Sequence, residues 1–243
     1  MKYLICNLKA NKTKEELIQY ERELSSITRS SSIELVICPS TPFFYLFNHN
    51  NYTLGSQDVS KFSFGPYTGE STASQLESLG VKYTLIGHSE RRIYLLEDET
   101  TIIEKIKKTC DTSIRPIYFI GESKEQKDKN QTFQILDQQI SRILNEVPEH
   151  KRKNIFIVYE PIWSIGTGKR LNNDEITMIT LFIKNLIKNY YNIELPILYG
   201  GSVNETNIDE LSSIKEIDGL ILGESSKNIA CVKEIYNKYQ KKI

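Results

Sequence analysis

The sequence predicts one (β/α)8 barrel domain spanning residues 1–243. Three observations lead there. Short apolar runs alternate eight times with helix-type patterns. The runs are apolar throughout instead of alternating, as strands are when helices cover a parallel sheet. Polar residues and glycines gather at the carboxyl ends of the runs, which is where such barrels carry their active sites. An open doubly wound sheet is the competing architecture on pattern alone. The length of 243 residues suits a single barrel, although a simple length quotient would suggest two domains.

The elements follow in order. Residues 3–6 (YLIC) form a strand that ends in Asn7, Leu8 and Lys9. Thr13 and Glu16 then make a capping box, and the helix behind them carries Leu17, Tyr20, Leu24 and Ile27 on one face. Residues 33–38 are the second strand, stopped by Pro39, and residues 52–56 are a weaker third. A loop over 57–70, rich in Gly, Ser and aromatics, leads to a helix over 72–79 that stops at Gly80. The fourth strand, 81–86, runs into Gly87-His88-Ser89-Glu90-Arg91-Arg92, and a helix with Ile102, Ile103 and Ile106 follows. The fifth strand, 116–120, ends in Gly121-Glu122, before a helix with Ile135, Leu136, Ile140, Ile143 and Leu144. The sixth, 155–159, precedes a helix after Asn173-Asp174 with Ile176, Ile179, Ile183, Leu186 and Tyr190 on one face. The seventh, 195–199, ends in Gly200-Gly201-Ser202, and Asn204 starts a short helix. The eighth, 219–222, ends in Gly223, and a last helix covers 227–239.

Composition narrows the function. Net charge is zero, which gives no argument for nucleic acid or for an anionic membrane. Cys6, Cys38, Cys110 and Cys231 form no CxxC pair, so reduced thiols and a cytoplasmic location are expected. No apolar run reaches membrane-spanning length, and the first residues lack a signal-peptide core. The three histidines are His49, His88 and His150, and no His, Cys and carboxylate cluster has metal-ligand spacing, so no metal is expected.

In a barrel, strand ends face one another across one mouth. Those positions hold Asn7, Lys9, His88, Glu90, Glu160, Gly166, Ser202 and Gly223. The stretch YEPIWSIGTGK (159–169) organises them: a carboxylate where a strand ends, then a glycine-punctuated loop able to close over an anion. Glu160 reads as a proton-abstracting base or as a structural carboxylate paired with an arginine. His88 reads as a neutral hydrogen-bond donor at a helix start or as a simple helix cap. Lys9 reads as an anion-attracting cation or as a surface lysine. Glu90, next to Arg91 and Arg92, is a further carboxylate of the site or an exposed turn with a salt bridge. Gly166, Ser202 and Gly223 make three turns whose N–H groups suit a phosphate.

The motifs CNLKAN (6–11), SQDVS (56–60), GPYTGE (65–70), IGHSERR (86–92), IGE (120–122), YEPIWSIGTGK (159–169), YGGSVN (199–204) and DGLILG (218–223), in that order and spacing, make the chain resemble the triosephosphate isomerases over essentially its full length. The resemblance implies a TIM barrel, no cofactor, and interconversion of dihydroxyacetone phosphate and D-glyceraldehyde 3-phosphate, as in glycolysis and gluconeogenesis. It implies Glu160 as base, His88 as electrophile, and Lys9, with Asn7 beside it, as the electrostatic lysine; Glu90 joins the catalytic candidates. It implies Gly166, Ser202 and Gly223 as backbone phosphate ligands, 161–169 as a closing lid, and a homodimer through the loop 65–70. That mechanism is a worked case for this enzyme in general physical accounts of pKa tuning. A phosphate-binding barrel aldolase is the competing enzyme class, but its Schiff-base lysine has no counterpart where Glu160 stands. A degenerate phosphometabolite-binding paralogue is the alternative without catalysis.

This chain departs from the family pattern at Leu8, at Phe119 before the IGE turn, at Lys169-Arg170-Leu171 in the lid's far hinge, and at Glu224 after Gly223. Glu224 is expected to sit at the phosphate-binding turn and to weaken anion binding by charge repulsion and backbone strain, a cost that shrinks if the carboxylate turns to solvent or pairs with Lys227.

Overall fold

The computed structural model describes residues 1–47 and 51–243; His49 lies outside the described residues. Its first unit is β1 (Lys2–Asn7) and α1 (Lys14–Leu24). The capping box forms as expected, with the Glu16 amide donating to Thr13 and the Glu16 carboxylate accepting from the Thr13 amide. Such a cap stabilises a helix by about 1 kcal/mol. β2 (Ile33–Cys38) and β3 (Thr53–Ser56) come next, then α2 (Ala73–Ser78) with a second capping box at Thr72. β4 (Tyr83–Ile86) leads into α3 (Ser89–Tyr94) and α4 (Glu99–Thr109). β5 (Arg115–Ile120) precedes α5 (Lys124–Asp128), α6 (Thr132–Glu146) and α7 (Glu149–Arg152). β6 (Phe156–Tyr159), α8 (Asn173–Tyr191), β7 (Ile197–Tyr199), α9 (Ile208–Leu211), β8 (Gly219–Leu222) and α10 (Ile229–Lys242) complete the chain.

All eight strands are parallel and close in sequence order, β8 pairing with β1. Cys6 lies opposite Ile37 on one side and Leu222 on the other. The closed order excludes the open doubly wound sheet.

Alternation along each strand divides the core in two. Ile5, Phe119 and Val158 belong to a cluster inside the barrel, while Leu4, Cys6, Tyr118, Ile120 and Tyr159 pack in the layer between sheet and helices. Both faces are therefore dry, which is why the strands read as unbroken apolar runs. At the amino end the interior is plugged by edge-to-face rings, Tyr3 on Phe156 with centroids 4.8 Å apart and Tyr83 on Phe156 at 5.6 Å. The Arg115 guanidinium lies 4.2 Å from the Phe156 ring.

Two expectations need correction. Tyr190 was placed on the buried face of its helix, yet it is 78% exposed. The buried stripe of α8 runs through Ile176, Ile179, Ile183 and Ile187, and in the last turn it passes to Tyr191, which packs against the core while Tyr190 faces solvent. Asn204 was placed at the start of a helix, which begins at Ile208 instead. The Asn204 side chain caps the preceding turn, accepting from the Thr206 and Asn207 amides at 2.9 and 3.1 Å.

Candidate active site

Asn7 is the last residue of β1 and is buried. Its Oδ1 accepts from the Lys9 amide at 3.1 Å, which bends the chain so that Lys9 sits at φ +51°. Ser40 and Gln57 both donate to the Lys9 carbonyl, at 3.0 and 2.9 Å, and hold this left-handed turn. The Lys9 ammonium pairs with Glu90. It also lies 3.7 Å from the point where a Cβ on Gly223 would stand, so it spans the mouth from β1 to the turn after β8.

His88 follows Gly87, which takes φ +75°, and caps α3. The Glu90 amide donates to its Nδ1 at 3.2 Å. A ring nitrogen that accepts this N–H leaves Nε2 as the ring's donor. Nε2 stands 3.4 Å from Glu160 Oε1. The helix cap is thus made by one nitrogen of the ring, and the other is left facing Glu160. The Phe119 ring packs edge-on against the imidazole at 4.9 Å.

Glu160 follows β6 directly, and its amide donates to the Ile120 carbonyl at 2.8 Å. It is only 5% exposed and no arginine pairs with it among the described residues. Gly121 has to be glycine here: a Cβ on it would lie 1.9 Å from the Glu160 carbonyl oxygen.

Beyond Glu160 the chain makes a 3-10 turn, Ile162–Ser164. Trp163 Nε1 donates to Glu122 at 2.8 Å, and the Tyr159 hydroxyl donates to the same carboxylate at 3.1 Å. Burial raises the Glu122 carboxyl above its ordinary range, outweighing these hydrogen bonds. The Lys127 ammonium lies 3.9 Å from the Trp163 ring. Ser202, at φ +47°, donates to the Ser164 carbonyl at 2.8 Å. The turn after β8 is stitched to β1 by Ser226, whose hydroxyl reaches the Asn7 and Gly223 carbonyls at 2.6 Å.

Asn7, Lys9, His88, Glu90, Glu160 and Gly223 therefore share one mouth, with a cleft of about 300 Å3 beside it lined by Asn7, Lys9, Gln57, His88, Glu90 and Tyr94. Gly166 does not touch them: it takes φ +68° in the exposed tip, where an added Cβ would meet nothing. Glu224 is not a charge in the mouth either. It keeps a negative φ, and its exposed carboxylate pairs with Lys227 at 2.7 Å, which removes both reasons for expecting it to weaken anion binding. His150 is an exposed residue of α7.

Sequence reasoning left Gln57, Gly121, Glu122 and Ser226 without roles. The first three lie inside the motifs SQDVS and IGE, so the motifs were the signal; Ser226 had none. No group of three or more His, Cys, Asp or Glu among the described residues is arranged to hold a metal ion. The arrangement can remove a proton from a carbon next to a carbonyl. It offers a buried carboxylate against an imidazole N–H, with an ammonium across the mouth for the oxygen that becomes negative.

The family profile described as triosephosphate isomerase matches residues 2–239. Among similar proteins, the triosephosphate isomerase of Alkaliphilus oremlandii is 35% identical over 230 residues, 90% of this chain and 92% of its own length. That of Alkaliphilus metalliredigens is 36% identical over the same span. That of Carboxydothermus hydrogenoformans is 33% identical over 236 residues, 93% of this chain and 94% of its own. A match of that extent, on a closed eight-stranded barrel whose mouth brings the quoted motifs together, means that the chain belongs to the triosephosphate isomerase family.

Proposed function

We propose that this chain interconverts dihydroxyacetone phosphate and D-glyceraldehyde 3-phosphate, with Glu160 as the base that removes a proton beside the carbonyl. The observation that carries the reading is the pairing of His88 and Glu160: Nε2 sits 3.4 Å from the carboxylate while Nδ1 is held by the Glu90 amide. A neutral ring aimed this way donates to a carbonyl oxygen without first giving up a proton. His88 and Lys9 stabilise the enediolate oxygens, Asn7 holds Lys9 in place, and Glu90 anchors the ammonium. Glu160 then returns the proton to the neighbouring carbon. Backbone N–H groups at Gly166, Ser202 and Gly223 hold the phosphate, and residues 161–169 close over it and exclude water.

The test is a coupled assay in both directions. Appearance of D-glyceraldehyde 3-phosphate from dihydroxyacetone phosphate alone supports the reading, and its absence refutes it. Trapping with borohydride separates the aldolase alternative, because only a Schiff base leaves the substrate on a lysine.

The reading extends to a homodimer. Large apolar side chains stand exposed in the segments after β3 and after α3, Phe64 at 74% and Leu96 at 84% among them, and the loop 65–70 is braced by Tyr67 stacked on Phe62 at 3.9 Å. Surface of this kind marks an interaction site. Sedimentation of a variant with the loop shortened checks it; a variant that stays dimeric and active removes the loop from the interface. No helix among the described residues is long and apolar enough to cross a membrane. A cytoplasmic location fits thiols at Cys6, Cys38, Cys110 and Cys231 that are all unpaired.

A further inference from the structure

The segment that follows the proposed lid is held by a contact the family pattern does not supply. Arg170 stands where small residues are usual. Its guanidinium donates to the Leu171 carbonyl and to Asn173 Oδ1, both at 3.0 Å, and forms an ion pair with Glu210 on α9. Asn173 adds a second tie to α9, donating to the Glu210 carbonyl at 3.3 Å. α9 lies just past the turn that carries Ser202, and Ser202 holds the other side of the lid at Ser164. Beneath the hinge is the buried Tyr199 hydroxyl, beside the Leu171 backbone but without a well-formed hydrogen bond to it. The hinge and the proposed phosphate-binding turn are thus fastened to one segment, 200–211.

We propose that Arg170 is a positioning residue, an electrostatic pin that fixes the lid's carboxyl hinge to α9 through Glu210, so that the lid closes about a defined pivot. The proposal rests on reading 161–169 as a lid. Its physical basis is chain entropy. A hinge free to wander has more conformations to lose when the lid closes, so closure becomes less favourable. The Arg170 side chain is 18% exposed and Glu210 63%, a partly wet pair that salt should weaken. Removing it is expected to change the closure equilibrium two- to fivefold, which is about 0.4–1 kcal/mol at 1.4 kcal/mol per decade.

Trp163 is the only tryptophan in the chain and lies within the lid, so its fluorescence follows closure directly. The experiment titrates 2-phosphoglycolate, a small phosphate ester with a carboxylate in the enediolate's place, at low and at high salt. It uses the parent, Arg170→Gln, Glu210→Gln and the double exchange Arg170→Glu with Glu210→Arg. The expected result is a two- to fivefold loss in apparent affinity for each single variant at low salt, a steeper salt-dependent loss in the parent than in the single variants, and recovery in the double exchange. kcat/KM should fall in step, with the shape of its pH profile unchanged. Single variants that match the parent at every salt concentration overturn the pin. A Trp163 signal that does not respond to the ligand in the parent overturns the lid reading, and the pin with it. An intact fold in each variant is checked by thermal melting.

Discussion

At its amino end the barrel is shut by Tyr3, Tyr83 and Phe156, rings packed edge to face. At its carboxyl end the same β1 and β6 run out into Asn7 and Glu160, with His88 just past β4, all buried and all polar. The rings contribute stability through the apolar area they remove from water. Buried polar groups do the opposite unless each finds a partner, and here each partner is another member of the site. The amino end therefore holds the fold, and the carboxyl end uses the stability so gained to keep a carboxylate and an imidazole in contact, out of water.

If that division is right, the two ends should fail in different ways. The largest effect is expected at Glu160. Glu160→Gln should retain binding of the triose phosphates and lose about 10²- to 10⁴-fold in kcat, since a general base contributes that much. Steady-state kinetics with turnover within threefold of the parent would take Glu160 out of the mechanism.

Gly121 sharpens the comparison, because it has no side chain and no chemistry. An added Cβ at 1.9 Å from the Glu160 carbonyl must push one backbone away from the other. Gly121→Ala is expected to lower kcat by on the order of 10²-fold through misplacement of the carboxylate, with Glu160 itself intact. Full activity in a folded Gly121→Ala protein would mean that the base tolerates displacement.

Phe156→Ala probes the other end. Cutting out a buried ring there should destabilise the protein by about 3–5 kcal/mol. That lowers the melting temperature by roughly 6–20 °C in a chain of this size. At temperatures where it stays folded, kcat should remain within about twofold of the parent. A proportionate fall in kcat would dissolve the distinction between the ends.

Much of this was legible in the sequence, for physical reasons that differ by element. β2 and β8 were read to the residue, because a short apolar run bounded by proline or glycine, interrupted in β2 only by Glu34, has few other foldings. The capping box at Thr13 is local chemistry and was equally plain, while the one at Thr72, closed by Gln75, went unread. Contacts between distant strands were not legible. No spacing rule places His88 Nε2 beside Glu160 or the Phe119 ring on the imidazole, because each depends on closing the barrel. Glu122 sat in a quoted motif, yet its partners Tyr159 and Trp163 come from another strand and loop. Tyr190 failed for a local reason: after Leu186 and Ile187 the apolar stripe continues at Tyr191, which takes the core-facing place.

The smallest effect is expected at Glu224. From sequence it looked like a charge set against the phosphate, worth a roughly three- to thirtyfold change in KM unless it turned to solvent or paired with a lysine such as Lys227. With the carboxylate paired to Lys227 in solvent and an ordinary backbone, Glu224→Gly should leave KM within about twofold and kcat unchanged. A KM lowered more than threefold at low ionic strength would show that the carboxylate still acts on the anion.

Lys9 and Ser202 hold left-handed backbone that suits neither residue. A laboratory selection scored only on survival of heat would drift toward glycine at both, each change relieving on the order of 1 kcal/mol. At Lys9 it would also delete the ammonium facing Gly223. Thermal hardening of this barrel and its turnover compete for the same backbone angles, so any screen for the first has to be counter-selected for the second.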